Sequence, residues 1–387
     1  MPQDLATTLI HHPYQPPEGF AAPQVAVHKA STVLFPNVAA MRERDWKRRD
    51  GYTYGLHGTP TTFTLEERIA TLEGGRHTVL VPSGLAAIAL VNLALLSPGD
   101  EVLLPDNVYG PSRVMAMNEL KRYGVTHRFY DPLDAASLAA AISPATKLVW
   151  LEAAGSVTME FPDLVGLVAA ARARGVCTAL DNTWGAGIAF SPFELGIDVV
   201  MHALTKYPSG GGDVLMGSVT TRDEALYQAL KLCHMHLGFG VGANDVEGVL
   251  RGLPSMALRY AASDATSREL ARWLQQQPAV TRVLHPALEG SPGHAHWQAT
   301  CRAAAGLFSI LIDPRHDVQA VDRFVDSLRL FGIGYSWAGP RSLAVPYDLT
   351  QMRQPVPYAG HLVRLAIGLE GVDDLRADLA QGLSRLN

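Results

Sequence analysis

Lys206 opens a glycine-rich turn in DVVMHALTKYPSGGGDVLMG, and Asp181 closes the apolar run VCTALD 25 positions earlier. A lysine attacks an aldehyde only as the neutral amine, so it needs a pKa below its ordinary value near 10.4, which burial and neighbouring cations provide. This pair suits Schiff-base binding of pyridoxal phosphate (PLP), with the acid keeping the ring nitrogen protonated so that the ring accepts electrons. An unpaired carboxylate at the end of an apolar run is costly, and a pyridinium N–H is a partner of the right charge. Each residue also has a plainer role: Lys206 as a surface side chain, Asp181 as a cap for the segment starting at Asn182.

Other residues belong to the same chemistry. VPSGLAA places Ser83, Gly84 and Leu85 between a strand and a helix, where free backbone N–H groups cradle a phosphate. A tight turn there needs glycine for steric reasons alone. Thr205 offers a second hydroxyl to the phosphate, or satisfies its own backbone. Tyr109, in NVYGPS after EVLLP, falls at the carboxyl edge of a sheet, where it can stack on a cofactor ring or serve as a turn tyrosine. Arg364 interrupts the apolar segment HLVRLAIGLE, either as a clamp for an amino-acid carboxylate or as half of a buried ion pair. Tyr335, Ser336 and Trp337, in YSWAGPRSL, can border the same pocket.

The elements needed to bring these residues together are readable. TLEERIATLEGG reads as a helix stopped by glycine, TVLVP as a strand, and SGLAAIALVNLALLSPGD as a helix. EVLLP, a helix around RVMAMNELKRYG, THRFYD, TKLVWLE, LVGLVAAARARG, VCTALD, DVVMHAL and VLMGSVTT continue the alternation, the pattern of a mostly parallel sheet covered on both faces. A long helical stretch is expected from about 223 to 290, then a second α/β segment containing GLFSILI, AVDRFVDSLRLF and HLVRLAIGLE. The division expected is an N-terminal arm at 1–60 that wraps a body or a neighbouring subunit, a large domain at 61–250, and a smaller C-terminal α/β domain with its linking helix at 251–387.

Composition narrows the functions. With 48% hydrophobic side chains in 387 residues the chain fills a large core, and its net charge of -5 gives nucleic acid no broad attraction. Three scattered cysteines without CxxC argue against a disulfide scaffold, and fourteen histidines without HExxH give no metal site. The N-terminus lacks a secretory pattern and the apolar runs are too short to span a bilayer, so a cytoplasmic protein without membrane partners is expected.

Across nearly its whole length the chain resembles the Cys/Met-metabolism family of PLP enzymes, through YGLHGTPTTFTLEERIATLEGG, VPSGLAAI, NVYGPSR, DNTWGAG, TKYPSGGGDVLMG and HLVRLAIGLEGVDDL in the family order. LEAAGSVTMEFPDL and YSWAGPRSL are most similar to its bacterial cystathionine β-lyase members. The resemblance implies PLP-dependent transferase fold type I (aspartate-aminotransferase-like) with a seven-stranded central sheet. It further implies β-cleavage of L-cystathionine in methionine biosynthesis, with γ-cleavage, γ-synthesis and broader cysteine-S-conjugate β-cleavage as rivals and a non-catalytic regulator more remote. By the same resemblance Lys206 carries the cofactor, Asp181 pairs with its ring nitrogen, Tyr109 stacks on it, and Gly84, Leu85 and Thr205 hold its phosphate. Arg364, with Ser336 and Trp337 beside it, binds substrate. Tyr54 reaches the cofactor phosphate of a neighbouring subunit, which implies a homotetramer built as a dimer of dimers. The family's usual Tyr-x-Arg reads Tyr54-Gly55-Leu56 here, which removes a phosphate partner, and Ala203 lacks a hydroxyl often seen at its position in the wider family, although similar lyases can have alanine there.

Overall fold

The computed structural model describes residues 4–11, 23–47 and 51–386. Its larger sheet consists of β1 (His77–Val81), β2 (Glu101–Pro105), β3 (Thr126–Tyr130), β4 (Thr146–Glu152), β5 (Cys177–Asp181), β6 (Val199–His202) and β7 (Gly217–Thr221), in the order β1-β7-β6-β5-β4-β2-β3. Strands β2 to β6 pair in parallel, while β7 runs antiparallel to both β1 and β6. Alternate residues of one strand enter opposite cores: Val149 and Leu151 lie on one face of β4, Leu148 and Trp150 on the other. Burial on both faces explains why β2, β4, β5 and β6 read as apolar runs. This is the mostly parallel seven-stranded α/β sheet expected.

The parallel direction collects the carboxyl ends of β1, β2, β4, β5 and β6 along one edge. Just there lie Ser83, Tyr109, Glu152, Asp181 and Lys206, the side of an open α/β sheet where ligands bind. The helix Gly84–Leu95 starts immediately after β1, capped by the Ser83 side chain. Its Ala- and Leu-rich sequence favours helix throughout and buries Ala87, Ile88, Leu90 and Val91 against the sheet.

A second, antiparallel sheet combines β8 (Val280–Leu284), β9 (Leu307–Ile312), β10 (Leu343–Tyr347) and β11 (His361–Ala366) in the order β10-β11-β9-β8. The helices Val318–Asp326 and Val372–Leu383 pack Phe324, Leu375 and Leu379 with Phe308, Ile310 and Val363 of this sheet. The expected helical stretch over 223–290 needs correction. Two helices occupy part of it, Glu224–Leu237 and Ala243–Leu274, separated where Gly238 takes a left-handed conformation. VTRVL beyond them is strand β8. Pro278 disfavours helix at Gln277, and β8 is stabilised by pairing with β9, a partner about thirty residues away in sequence.

In the arm, the helix Leu5–Ile10 buries Leu9 against the chain's own helices Pro60–Glu73 and Ala243–Leu274. Ala26 and His28 bond the Thr61 hydroxyl at 3.0 and 2.8 Å. The expectation for the arm at residues 1–3, 12–22 and 48–50 lies outside the described residues. Among the described residues no helix is long and apolar enough to cross a membrane.

Candidate active site

At the carboxyl edge of the larger sheet a cavity of about 570 Å3 opens between the two sheets' loops. It brings together Ser83, Gly84, Leu85, Tyr109, Asp181, Thr205 and Lys206 from the first sheet with Tyr335, Ser336, Trp337 and Arg364 from the second.

Lys206 leaves β6 through a tight turn closed by its own N–H on the Ala203 carbonyl at 3.0 Å. Its Nζ donates to Ser336 Oγ at 2.6 Å and lies 5.6 Å from the centre of the Trp337 ring. Burial, and then the Arg364 guanidinium, lower its pKa from 10.5 to about 8 against the opposing pull of Asp181. Half-maximal labelling of Lys206 by an amine-selective reagent in cofactor-free protein is therefore expected near pH 8; a midpoint above 10 would refute this. Between about 8 and 10.5 the unfolded chain holds a proton that the folded protein has released, so cofactor-free protein gains stability as pH rises through that window.

Asp181 ends β5 and lines the cavity, its Oδ1 accepting the Thr183 N–H at 3.0 Å. The capping role open in the sequence thus occupies one oxygen without turning the carboxylate away from the cavity. Burial raises its pKa, while Thr183, His202 and Lys206 pull it back. Underneath, buried Glu73 accepts Asn182 Nδ2 at 2.6 Å and contacts His202 Nδ1 at 2.7 Å, fastening the ends of β5 and β6 to the helix Pro60–Glu73.

Glu152 is a cavity residue the sequence reading missed. It sits opposite Asp181 in the β4–β5 register, and its Oε2 accepts the Tyr109 N–H at 2.8 Å. Burial, and then the Asp181 charge, push its carboxyl well upward, the direction that favours its protonated form. The signal that marked Asp181, an acid ending an apolar strand, marks Glu152 in TKLVWLE equally well. Tyr347 and Met352 also line the cavity, and nothing in their local sequence singles them out.

The helix beginning at Gly84 offers bare N–H groups. Ser83 Oγ accepts the Ala86 N–H at 3.0 Å, and the N–H groups of Gly84 and Leu85, in the first turn, have no intrahelical acceptor. Ser83 thus shapes the cradle as a cap. A Cβ on Gly84 would stand 2.7 Å from the Ala203 Cβ, so only glycine allows this turn to approach the Lys206 turn so closely. Thr205 Oγ1 donates to the Met216 carbonyl at 3.2 Å and accepts the Met216 N–H at 3.0 Å, the backbone role left open in the sequence.

Arg364 is buried on β11 and has no acidic partner among the described residues, which removes the buried ion pair as its explanation. Its Nη2 donates to the Ser336 carbonyl at 3.2 Å, its guanidinium lies 5.2 Å from the Tyr347 ring centre, and its Nε has no acceptor. Ser336 holds both Lys206 and Arg364 from a left-handed backbone conformation, φ 80°, which costs a non-glycine residue about 1–3 kcal/mol. Arg364→Gln should raise KM for an amino-acid substrate roughly 10- to 100-fold with a smaller loss of kcat, in steady-state kinetics; equal KM values would rule out the clamp.

Tyr54 lies apart from this cavity. With Leu56, His57 and Lys231 it lines a separate space of about 240 Å3, its ring edge-on to His57 at 5.7 Å and half-exposed. Arg353, next to the cavity residue Met352, bonds Glu160 at 2.7 Å and Asp106 at 2.8 Å, with Asn107 and Tyr358 also on Glu160. An amine of lowered pKa, an acid, a bare helix N-terminus and an unpaired guanidinium in one space fit an aldehyde, a ring nitrogen, a phosphate and a substrate carboxylate.

A family model described as Cys/Met metabolism PLP-dependent enzyme matches residues 6–384. The chain belongs to this family. Its cofactor is pyridoxal 5'-phosphate. Among family relatives, a cystathionine beta-lyase of Bordetella avium is 38% identical over 388 residues, spanning 98% of this chain and 97% of that protein. An L-alanine/L-glutamate racemase of Wolbachia pipientis is 34% identical over 374 residues, spanning 93% and 92%. The solved structure of cystathionine gamma synthase from Xanthomonas oryzae pv. oryzae, in complex with aminoacrylate and cysteine, is similar at TM-score 0.91 and 30% identity, over 100% of this chain and 99% of that one. Family membership therefore settles the cofactor and leaves the reaction among several that share it.

Proposed function

We propose that this family member is a carbon–sulfur β-lyase that converts L-cystathionine and water to L-homocysteine, pyruvate and ammonia, in methionine biosynthesis. The observation that carries the reading is the buried, acid-free Arg364 beside the Lys206 amine, a carboxylate clamp at one end of a proton-transfer site. Bound PLP supplies an electron sink for the pair left when a proton leaves Cα. Asp181 would face its ring nitrogen, the N–H groups of Gly84 and Leu85 its phosphate, and Tyr109 its ring.

Arg364 holds the substrate carboxylate and so fixes Cα relative to Lys206. The Lys206 amine, neutral above about pH 8, takes the Cα proton, with Ser336 orienting it. The Cβ–S bond then breaks with its electron pair going to sulfur. Two proton donors line that space, the lysine in its charged form and the Tyr109 hydroxyl. The released enamine takes up water to give pyruvate and ammonia. Leu85, Trp337 and Met352 wall the space with apolar surface.

The reading includes a homotetramer of catalytic dimers, in which Tyr54, remote from its own chain's cavity, serves a neighbour's. The likeness to a γ-synthase supports one rival, in which a second proton shift at Cβ precedes loss of a γ substituent. Product analysis with L-cystathionine decides: pyruvate with homocysteine is expected, and 2-oxobutyrate with cysteine would overturn β-cleavage. Sequential gel filtration and light scattering test the tetramer, which a monomer in solution would refute.

A further inference from the structure

We infer that Arg353 is a positioning residue for the reaction: it ties the connection between β10 and β11 to the loop that carries Tyr109, and so fixes the Met352 side of the cavity around a bound substrate. The inference rests on the reading of the Lys206 cavity as the reaction site and is indifferent to which bond breaks there.

β10 and β11 pair from Leu343 with Ala366 to Tyr347 with Leu362, so residues 348–360 run beyond the ladder that aligns the two strands. Met352 in this connection lines the cavity together with Tyr109, Gly110 and Pro111, which follow β2 of the first sheet. Met352 and Val356 pack against the core, but apolar contact is non-directional and selects no single placement. Placement comes from directional bonds. Arg353 Nε donates to Asp106 Oδ2 at 2.8 Å, and its Nη1 donates to the two oxygens of Glu160 at 2.7 and 3.0 Å. The Tyr358 hydroxyl, in the same connection, donates to Glu160 Oε1 at 2.6 Å.

Both acids stand next to cavity segments. Asp106 directly follows β2 and leads through Asn107 and Val108 to Tyr109. Glu160 follows the cavity residue Met159, and its carboxylate also accepts Asn107 Nδ2 at 2.8 Å and the Thr158 hydroxyl at 3.2 Å. The Asn107 carbonyl accepts the N–H of Ser156, another cavity residue, at 3.0 Å. One guanidinium thus joins the connection on the second sheet to two segments at the carboxyl edge of the first.

The Glu160 side chain is 3% exposed and that of Arg353 12%. Ionic groups so enclosed lose hydration that offsets much of their attraction, so their net effect on stability is small and what they select is one arrangement over others. Here that arrangement is the span between Met352 and the Tyr109 loop. Asp181 and Arg364 take their positions from β5 and β11, and Lys206 from the turn after β6. Loss of the tie therefore acts on how firmly substrate is held and leaves the proton-transfer groups in place.

The test compares Arg353→Met with the neutral triple variant Asp106→Asn, Glu160→Gln, Arg353→Met, both loaded with PLP. Arg353→Met leaves two carboxylates without their cation, so Tm should fall, and KM for L-cystathionine should rise at least about tenfold with kcat held within about threefold. The triple variant buries no unpaired charge. Its Tm should return toward that of the unaltered enzyme while KM stays raised at least about tenfold, because the tie is still missing. A KM that recovers along with Tm, a KM unchanged in Arg353→Met, or a loss confined to kcat overturns the positioning role. If Arg353→Met does not fold, KM of the triple variant decides alone. If the unaltered enzyme forms no pyruvate from L-cystathionine, β-cleavage fails as a reading, and Kd for L-norleucine, followed by the absorbance of the bound cofactor, takes the place of KM. A weakening of about tenfold in the triple variant is then expected, and an equal Kd overturns the tie.

Discussion

Lys206→Ala is expected to lower pyruvate formation from L-cystathionine by at least about 10^4-fold, because general-base transfer alone contributes about 10^2- to 10^4-fold and the anchoring amine is lost with it. Neither Arg364 nor Tyr109 substitutes readily. Arg364 remains charged, and Tyr109 has a hydroxyl whose pKa burial has raised further. The variant should fold, since its side chain makes a single hydrogen bond, to Ser336. A coupled pyruvate assay reads the loss. Borohydride reduction followed by peptide mass analysis should place the reduced cofactor adduct on Lys206 in the unaltered enzyme and nowhere in the variant. Turnover near the unaltered rate would remove Lys206 from the reaction.

The second large effect is expected for Asp181→Asn, a loss of about 10^2- to 10^3-fold in kcat. An amide keeps the shape and can still accept the Thr183 N–H, but it carries no charge for a protonated ring nitrogen. Breaking such a buried charged pair costs about 3–5 kcal/mol, and about 1.4 kcal/mol is a factor of ten in rate. Cofactor affinity, measured by absorbance titration, should weaken alongside. If kcat fell less than tenfold, Asp181 would be a turn cap whose cavity position is incidental. Glu152, one strand away, cannot replace it, because its Oε2 already accepts the Tyr109 N–H and its burial favours the protonated form.

Where sequence reading succeeded and where it failed has a common physical origin. Strands buried on both faces must be apolar throughout, so β1, β2, β4, β5 and β6 stand out, and with them the residues at their carboxyl ends. Lys206, Asp181, Tyr109 and the Ser83-Gly84-Leu85 turn were legible for that reason. β8 was not, because its place is set by pairing with β9, while the local pattern continues a helical run. Thr205 had two plausible hydrogen-bonding roles, and only the distances to Met216 chose between them. Glu152 carried a usable signal that went unread.

From its order of residues alone this protein declares an alternating α/β chain, a lysine and an acid at the end of apolar strands, and the family to which they belong, since these depend on local periodicity and short motifs. Tertiary structure alone decides that Arg364 is without an acid among the described residues, that Ser336 touches both Lys206 and Arg364, and that Tyr54 lines a space separate from the cavity of its own chain. Those facts depend on packing the loops of one sheet against the edge of another across more than a hundred residues. No local pattern encodes which groups then meet, or which are left unpaired.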